Sequence, residues 1–496
     1  MAFVATHKLR APTLDPEPSV VLGVLAAAGA CLLTGLLFVE GATYTLMMVI
    51  GLAVAGMIAV RPRYALYTLV AVILLSDLHL RNPNSPSGAM LFKSLAPQGI
   101  LLTPAELIVA IGFVGLLARL VLDDEVSFRP GHLFVALLML MAATALGIGI
   151  GMSRGADMMA LRAETRGLFY LPIIYLLATH FLTKREHVNQ LFWLFVVAAN
   201  VMSAENIYRY FKYVRSSYEL NLPASLAFSH ESALFCAVAL ILLMSRLVWS
   251  KNVFSDWKTL LLMVLPMFAL LVLRRRAGMV ALDAGLIMLC AVLLKDNFKL
   301  FLIVVPVALV GLGLLLALTW NSPGGSGTFA RSARSVTGEQ TVSERDQSSD
   351  DYRKLENVNI RLNIQNDPIQ GLGFGRQFAF YVPVADLSFW ELWRYVPHNS
   401  ILWFWMKAGI FGFVSLSTLF AVAITRSMQI MRGAQHATKA YAFAAGAMVV
   451  MFVLYSWVDL GMVTPRTVIF FGIVLGMIGA LGYISPSEGP VDEATS

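Results

Sequence analysis

Apolar residues in this chain come in unbroken runs rather than in alternation with polar ones. Runs of roughly 17 to 25 residues, long enough to cross about 30 Å of hydrocarbon as helix, recur along nearly the whole length. They fall near 19–39, 43–60, 64–80, 104–122, 132–152, 167–183, 188–208, 231–249, 258–274, 277–294, 299–319, 399–424, 441–459 and 466–484. Strand periodicity is absent from these runs and unsatisfied backbone is costly in lipid, so the pattern predicts an all-α polytopic membrane protein with about 12–14 transmembrane helices. One long polar break, residues 320–398, predicts a large loop outside the bundle that carries short helices.

These breaks divide the chain into an N-terminal tail (1–18), a helix bundle (19–319), the loop (320–398), C-terminal membrane helices (399–484) and a C-terminal tail (485–496). Composition leads to the same class: 58% of residues are hydrophobic and only 14% charged, with a mean hydropathy of +0.72, which is membrane composition. The opening "MAFVATHKLRAPTLDPEPS" is polar and lacks the usual cleavage site, so the first helix is expected to act as an uncleaved anchor. Cys31, Cys236 and Cys290 all lie inside apolar runs and offer neither a disulfide framework nor a metal-ligand spacing. No metal, cofactor or nucleic-acid partner is expected; membrane lipids are.

Lysines and arginines in the short loops set the orientation. With the N-terminus in the cytoplasm, Arg61, Arg63, Lys184, Arg185, Arg246, Lys251, Lys258, Lys295, Lys299, Arg426, Arg432 and Lys439 fall inside, the 320–398 loop falls outside, and the C-terminal tail returns to the cytoplasm. Arg154, Arg162, Arg166, Arg209, Lys212, Arg215, Arg274, Arg275 and Arg276 are left at the outer face, where the sorting rule disfavours them. Snorkelling to lipid phosphates or a miscounted span accounts for single arginines. As a set they fit a cavity for an anionic ligand such as a lipid diphosphate, because guanidinium forks match phosphate oxygens and stay charged when buried. Arg162 and Arg166 are four apart and share a helix face, and "LRRRAGMVAL" puts Arg275 and Arg276 at a tight outer corner.

The loop divides by composition. Residues 321–349 are Gly/Ser-rich and polar, as in a lid or disordered insert. "DDYRKLENVNIRLNIQND" predicts a short helix capped by Asp350, with Leu355, Val358 and Leu362 on its packing stripe. The glycines of "DPIQGLGFGRQF" read as turn formers rather than a phosphate cradle, since the strand-to-helix context is missing. Aromatic-rich "FAFYVPVADLSFWELWRYVP" suits an interface or offers rings for stacking on sugars. It leads into "RYVPHNSILWFWMKAGIFGF", where His398 stands before a membrane run and Asn399 or Ser400 can cap it. A solitary histidine there is either a headgroup contact or a proton acceptor working near neutral pH.

The order of an arginine, "NDPIQGLGFG" and "PHNSILWFWMKAGIFGF" resembles the Wzy_C pattern of O-antigen ligases and polymerases, whose last motif is matched by His398, Asn399, Ser400, Leu402, Gly409 and Gly412. "RRRAGMVAL" looks like another family segment, with Arg276 on the family arginine and Arg275 where a serine is usual; Arg353 corresponds to the arginine upstream of the glycine string. "SHESALFCAVAL" is similar to a small-polar entry to an earlier span. The resemblance implies a glycosyltransferase of GT-C type in a bacterial inner membrane. Its donor would be an undecaprenyl-diphosphate-linked glycan used at the periplasmic face without a metal, and its acceptor a saccharide or a second lipid-linked glycan. It also implies His398 as base, with Arg276, Arg353, Arg162, Arg166, Arg215 and Arg275 toward the diphosphate, and Asn399 and His230 toward the acceptor or as support. Lys407 departs from the pattern, which is often acidic or polar there, and is expected to bind phosphate or pair with Asp459 or Asp283.

Other classes compete. A lipid-linked oligosaccharide flippase would share the spans and cations, but transporters show internal repeats and midplane charges, and no clear repeat is visible here. A SEDS-type peptidoglycan polymerase shares the donor lipid but fits the histidine motif less well. A non-catalytic scaffold explains the hydropathy, yet leaves the histidine motif and outer arginines without a reason to coincide.

Overall fold

The computed structural model describes residues 42–75, 103–124, 126–215, 228–249, 256–273, 275–320, 344–388 and 390–484; the predicted 19–39 run and both terminal tails lie outside the described residues. Fifteen α-helices follow in order. The first seven are α1 (Ala42–Val60), α2 (Tyr64–Leu75), α3 (Pro104–Leu122), α4 (Phe134–Ser153), α5 (Met158–Thr165), α6 (Tyr170–Phe181) and α7 (Arg185–Arg209). After the π-helical segment Tyr210–Arg215 come α8 (Glu231–Val248), α9 (Trp257–Leu273), α10 (Arg276–Asp296) and α11 (Phe298–Thr319). The loop contributes α12 (Glu344–Asn366), and α13 (Ser400–Gly433), α14 (His436–Val458) and α15 (Pro465–Ile484) complete the bundle. No strand occurs among the described residues. Eight of the helices are long and apolar enough to cross a membrane, and α2 and α9 are shorter apolar helices. The protein is an all-α, multi-pass membrane protein.

Helices α8 and α15 are buried along most of their length, which is why both are apolar on every face. Apolar contact alone gives no preference over lipid, so close approach of small residues has to bring helices together. Along α15, Gly476 and Gly479 meet Ala178 and Thr179 of α6 at distances that leave no room for a Cβ, and Gly472 packs tightly on Ile174. Gly278 of α10 packs on Ala233 of α8 in the same way.

The first predicted C-terminal span, 399–424, differs in extent. Helix α13 runs for 34 residues, about 50 Å if straight and more than one bilayer needs. It breaks at Gly409, whose φ is +66°. The predicted turn "GLGFG" fills the break, with φ of +76°, +85° and +75° at Gly371, Gly373 and Gly375. Leu372 N–H donates to Met406 O at 2.8 Å, Gly373 N–H to Lys407 O at 3.0 Å, and Ile410 N–H to Ile369 O at 3.2 Å, replacing bonds the helix gives up. On its other side the string lies against α4, where Phe374 N–H donates to Gly147 O at 3.1 Å.

The loop helix also differs from expectation. Helix α12 begins by Glu344, so Asp350 is an interior residue and not its cap. Val358 is 40% exposed, while Glu356, Asn359, Ile360, Asn363 and Ile364 are buried. Two asparagines explain the rotated face. Asn359 exchanges two hydrogen bonds with the backbone of Val382 (2.8 Å each), and Asn363 does the same with Ala379 (2.8 and 3.0 Å). These fixed side-chain bonds satisfy loop backbone that would otherwise be buried without partners.

Candidate functional site

Helix α12 lies with Asp350, Arg353 and Glu356, spaced by three, on the face turned toward the ends of α10, α13 and α14. Asn399 is the N-cap of α13 and accepts from Leu402 N–H at 3.0 Å, as the sequence suggests. Its amide also donates to Asn357 Oδ1 at 3.1 Å, tying α13 to α12. His398 is thereby fixed one residue before a capped helix.

Glu356 meets His398 twice. Its Oε2 accepts the His398 backbone N–H at 3.0 Å and stands 3.1 Å from Nδ1, with Oε1 at 3.3 Å. The carboxylate is 2% exposed and the imidazole 20%. A buried carboxylate on Nδ1 selects the tautomer that carries its hydrogen there, leaving Nε2 as the acceptor. Tyr352 stands edge-on to the imidazole with ring centroids 5.8 Å apart, and Trp390 lies at 6.4 Å. Burial and the adjacent Glu356 carboxylate push the Tyr352 hydroxyl well above the ordinary tyrosine range, so it stays a donor at neutral pH.

A second histidine–carboxylate pair borders the first. His230 Nδ1 is 3.2 Å from Asp459 Oδ2, with Asp459 3% and His230 37% exposed. Ser400 Oγ donates to the Asp459 backbone carbonyl at 2.9 Å. His230, Arg353 and His398 all bear electrostatically on the Asp459 carboxylate, and Arg275 and Arg353 on the neighbouring Tyr455. Arg275 donates to Phe228 O at 3.0 Å. Arg276 forms a two-point pair with Asp350, both contacts 2.6 Å. His398, Asn399, His230, Arg275, Arg276 and Arg353 are therefore drawn to one end of the bundle, from four separate stretches of sequence.

Arg166 and Lys407 are taken up by other partners. Arg166 is gripped by Glu106 through both carboxylate oxygens and also meets Tyr170 Oη at 3.2 Å. Arg162 lies half-buried on α5, and the side chain of Arg215 lies outside the described residues. Lys407 corrects the expectation that it reaches phosphate, Asp459 or Asp283: it is fully buried and pairs with Glu164 at 2.7 Å. It also donates to Arg376 O, while Glu164 accepts from Gly375 N–H and, at 3.3 Å, from Trp403 Nε1. A buried lysine needs its carboxylate and every donor placed, and here the pair clamps the glycine string to α5 and α13. The misplaced arginines have a similar account, since Arg154 pairs with Asp367 at 2.6 Å and Arg209 with Glu205.

Glu356 is the residue that sequence reading missed, and Asp350 and Asp459, read there as a helix cap and a partner for Lys407, pair instead with Arg276 and His230. The spacing of Asp350, Arg353 and Glu356 was a visible signal; the partner of each was not. Among the described residues no group of three or more His, Cys, Asp or Glu side chains could hold a metal ion.

Comparison with known proteins meets this geometry at its centre. Residues 261–417 match the O-antigen ligase family, Wzy_C, a segment that contains Arg275, Arg276, Arg353, Glu356, His398 and the broken helix. A stretch of 65 residues is 37% identical to an O-antigen ligase of Salmonella typhimurium, covering 12% of this chain and 16% of that protein. The chain thus aligns with about a sixth of the length of that relative. It is over residues 261–417, the segment that carries this geometry, that the chain is similar to the O-antigen ligase (Wzy_C) family.

Proposed function

We propose that the protein is a membrane glycosyltransferase of O-antigen or related polysaccharide assembly, transferring a glycan from an undecaprenyl-diphosphate-linked donor to a saccharide acceptor at the periplasmic face of a bacterial inner membrane. The observation that carries this reading is the partly exposed His398 held on buried Glu356 beside a cationic group of Arg353, Arg275 and Arg276. Nε2 of His398 takes the proton of the acceptor hydroxyl as its oxygen attacks the anomeric carbon. The bond from that carbon to the diphosphate breaks, a glycosidic bond forms, and the lipid diphosphate leaves with the bonding electrons. Developing charge on the leaving group is met by fixed guanidinium groups. Glu356 steadies the imidazolium, and Trp390 and Tyr352 offer rings to the acceptor sugar.

The test is reconstitution of wild type and His398→Ala in liposomes with a lipid-diphosphate glycan donor, followed by mass analysis. Wild type forms a new glycosidic bond and releases lipid diphosphate; the variant inserts normally and forms none. Transfer by the variant removes His398 as the base. Donor that only changes leaflet, unaffected by the substitution, replaces the enzyme with a transporter. The product mass separates ligation from polymerisation.

A further inference from the structure

A second site lies far from His398. Helix α10 starts at Arg276, in the histidine cluster, and ends at Asp296, 20 residues or roughly 30 Å away. At that far end a cavity of 630 Å³ opens between α10, α13 and α14. Its walls are apolar, including Ala284, Met288, Met428 and Leu454, and its rim carries Lys295, Arg432 and Lys439 against one acid, Asp296. Lys439 is paired with Asp296 at 2.7 Å, which leaves two cations of excess on the rim. Lys295 and Arg432 stand in the last turns of α10 and α13, so helix dipoles account for a cation at each end. They do not account for an apolar groove that begins beneath both.

The dimensions define an occupant. From Asp296 to Ala284 the groove follows α10 for 12 residues, about 18 Å, comparable to half of the roughly 30 Å hydrocarbon core. A ligand with an anionic head at the rim and one leaflet's depth of hydrocarbon matches both charge and length. The site is on the Lys/Arg-rich side, where anionic headgroups are attracted to basic residues near the membrane surface. It opens opposite the end that holds His398, so a diphosphate bound beside Arg276 cannot reach it.

We propose that this groove binds one anionic phospholipid of the leaflet opposite the His398 site, its phosphate on Lys295 and Arg432 and an acyl chain along Met288 and Met428. The proposal stands independently of glycosyl transfer.

Full-length protein in detergent is incubated with phosphatidylglycerol or with phosphatidylcholine of identical chains, and retained lipid is read by native mass spectrometry. Wild type prefers phosphatidylglycerol by about tenfold, and Lys295→Gln with Arg432→Gln reduces the preference to within about twofold, as expected for loss of the charged contacts. Ala291→Trp, on the groove wall, keeps the cations and loses the retained lipid. Equal retention of the two lipids by wild type, or a preference that survives the double substitution, overturns the proposal. Displacement of phosphatidylglycerol by undecaprenyl phosphate overturns it too, giving the groove to a polyprenyl chain.

Discussion

Glutamine in place of Glu356 separates orientation of the histidine from the bulk of the side chain. Glu356 accepts two hydrogen bonds, from the His398 backbone N–H at 3.0 Å and from Nδ1 at 3.1 Å, while 2% exposed. Glutamine keeps the volume and one acceptor but has no charge. Bonds to a charged group contribute roughly 1.5–3 kcal/mol and neutral ones about 1, so the charge accounts for about 1–2 kcal/mol. In rate that is roughly five- to thirtyfold. The amide has a further effect. With its oxygen on the backbone N–H, its NH2 faces Nδ1 and selects the opposite tautomer, which places a hydrogen on Nε2 where the acceptor hydroxyl has to deliver one. A comparable carboxylate-to-amide change behind a catalytic histidine costs about 10⁴-fold. The expected loss in kcat for Glu356→Gln is therefore from about thirtyfold to 10⁴-fold, with unfolding stability lowered by no more than about 2 kcal/mol. Single-turnover transfer in liposomes measures the first and thermal unfolding in detergent the second. Glu356→Ala, which leaves both donors without an acceptor, costs about 2–4 kcal/mol of stability as well. A kcat for the glutamine variant within about threefold of wild type, on a folded protein, refutes the orienting role and with it the tautomer on which the base depends.

Three further outcomes follow from the same contacts. Asp350 occupies both arms of Arg276, so Asp350→Asn should lower the donor KM about fivefold with kcat little changed, as expected for a half-exposed ion pair; an unchanged KM would take Arg276 out of the donor site. Lys407→Met leaves Glu164 buried without its cation and should cost about 3–5 kcal/mol, while adding Glu164→Gln should recover part of that loss; thermal unfolding of the single and double variants decides, and additive losses would refute the coupling. Gly409→Ala puts a side chain at a φ of +66° and against the Ile369 carbonyl, so it should destabilise by more than about 2 kcal/mol, read as a lower unfolding temperature; a neutral result would mean that the break in α13 is not required.

How much was legible in the sequence differs between helices and charges. Thirteen of the fourteen apolar runs have a helix within the described residues, from 43–60 on α1 to 466–484 on α15. Hydropathy is a local sum, and the bilayer requires that sum of any segment that crosses it, so neighbours along the chain suffice. The cap at Asn399 is equally local, a side chain meeting a backbone three residues on. Glycine's tolerance of positive φ marked "GLGFG" as a turn before its neighbours were known.

Tertiary structure alone chose the partners of the charges. Glu356 meets His398 across 42 residues, Asp350 meets Arg276 across 74, and Glu164 bonds Trp403 across 239. Periodicity cannot express such pairs, because a charge in low dielectric takes whichever opposite charge packing brings within a few ångströms. For this reason Arg166, placed at the outer face by hydropathy, and Lys407, placed within a membrane run, became internal braces, while Arg353 and Arg275 joined the histidines. The polar anchors Asn359 and Asn363 rotated α12 away from its apolar stripe for a related reason: buried loop backbone must be hydrogen-bonded, and where that backbone passes is fixed only by the fold.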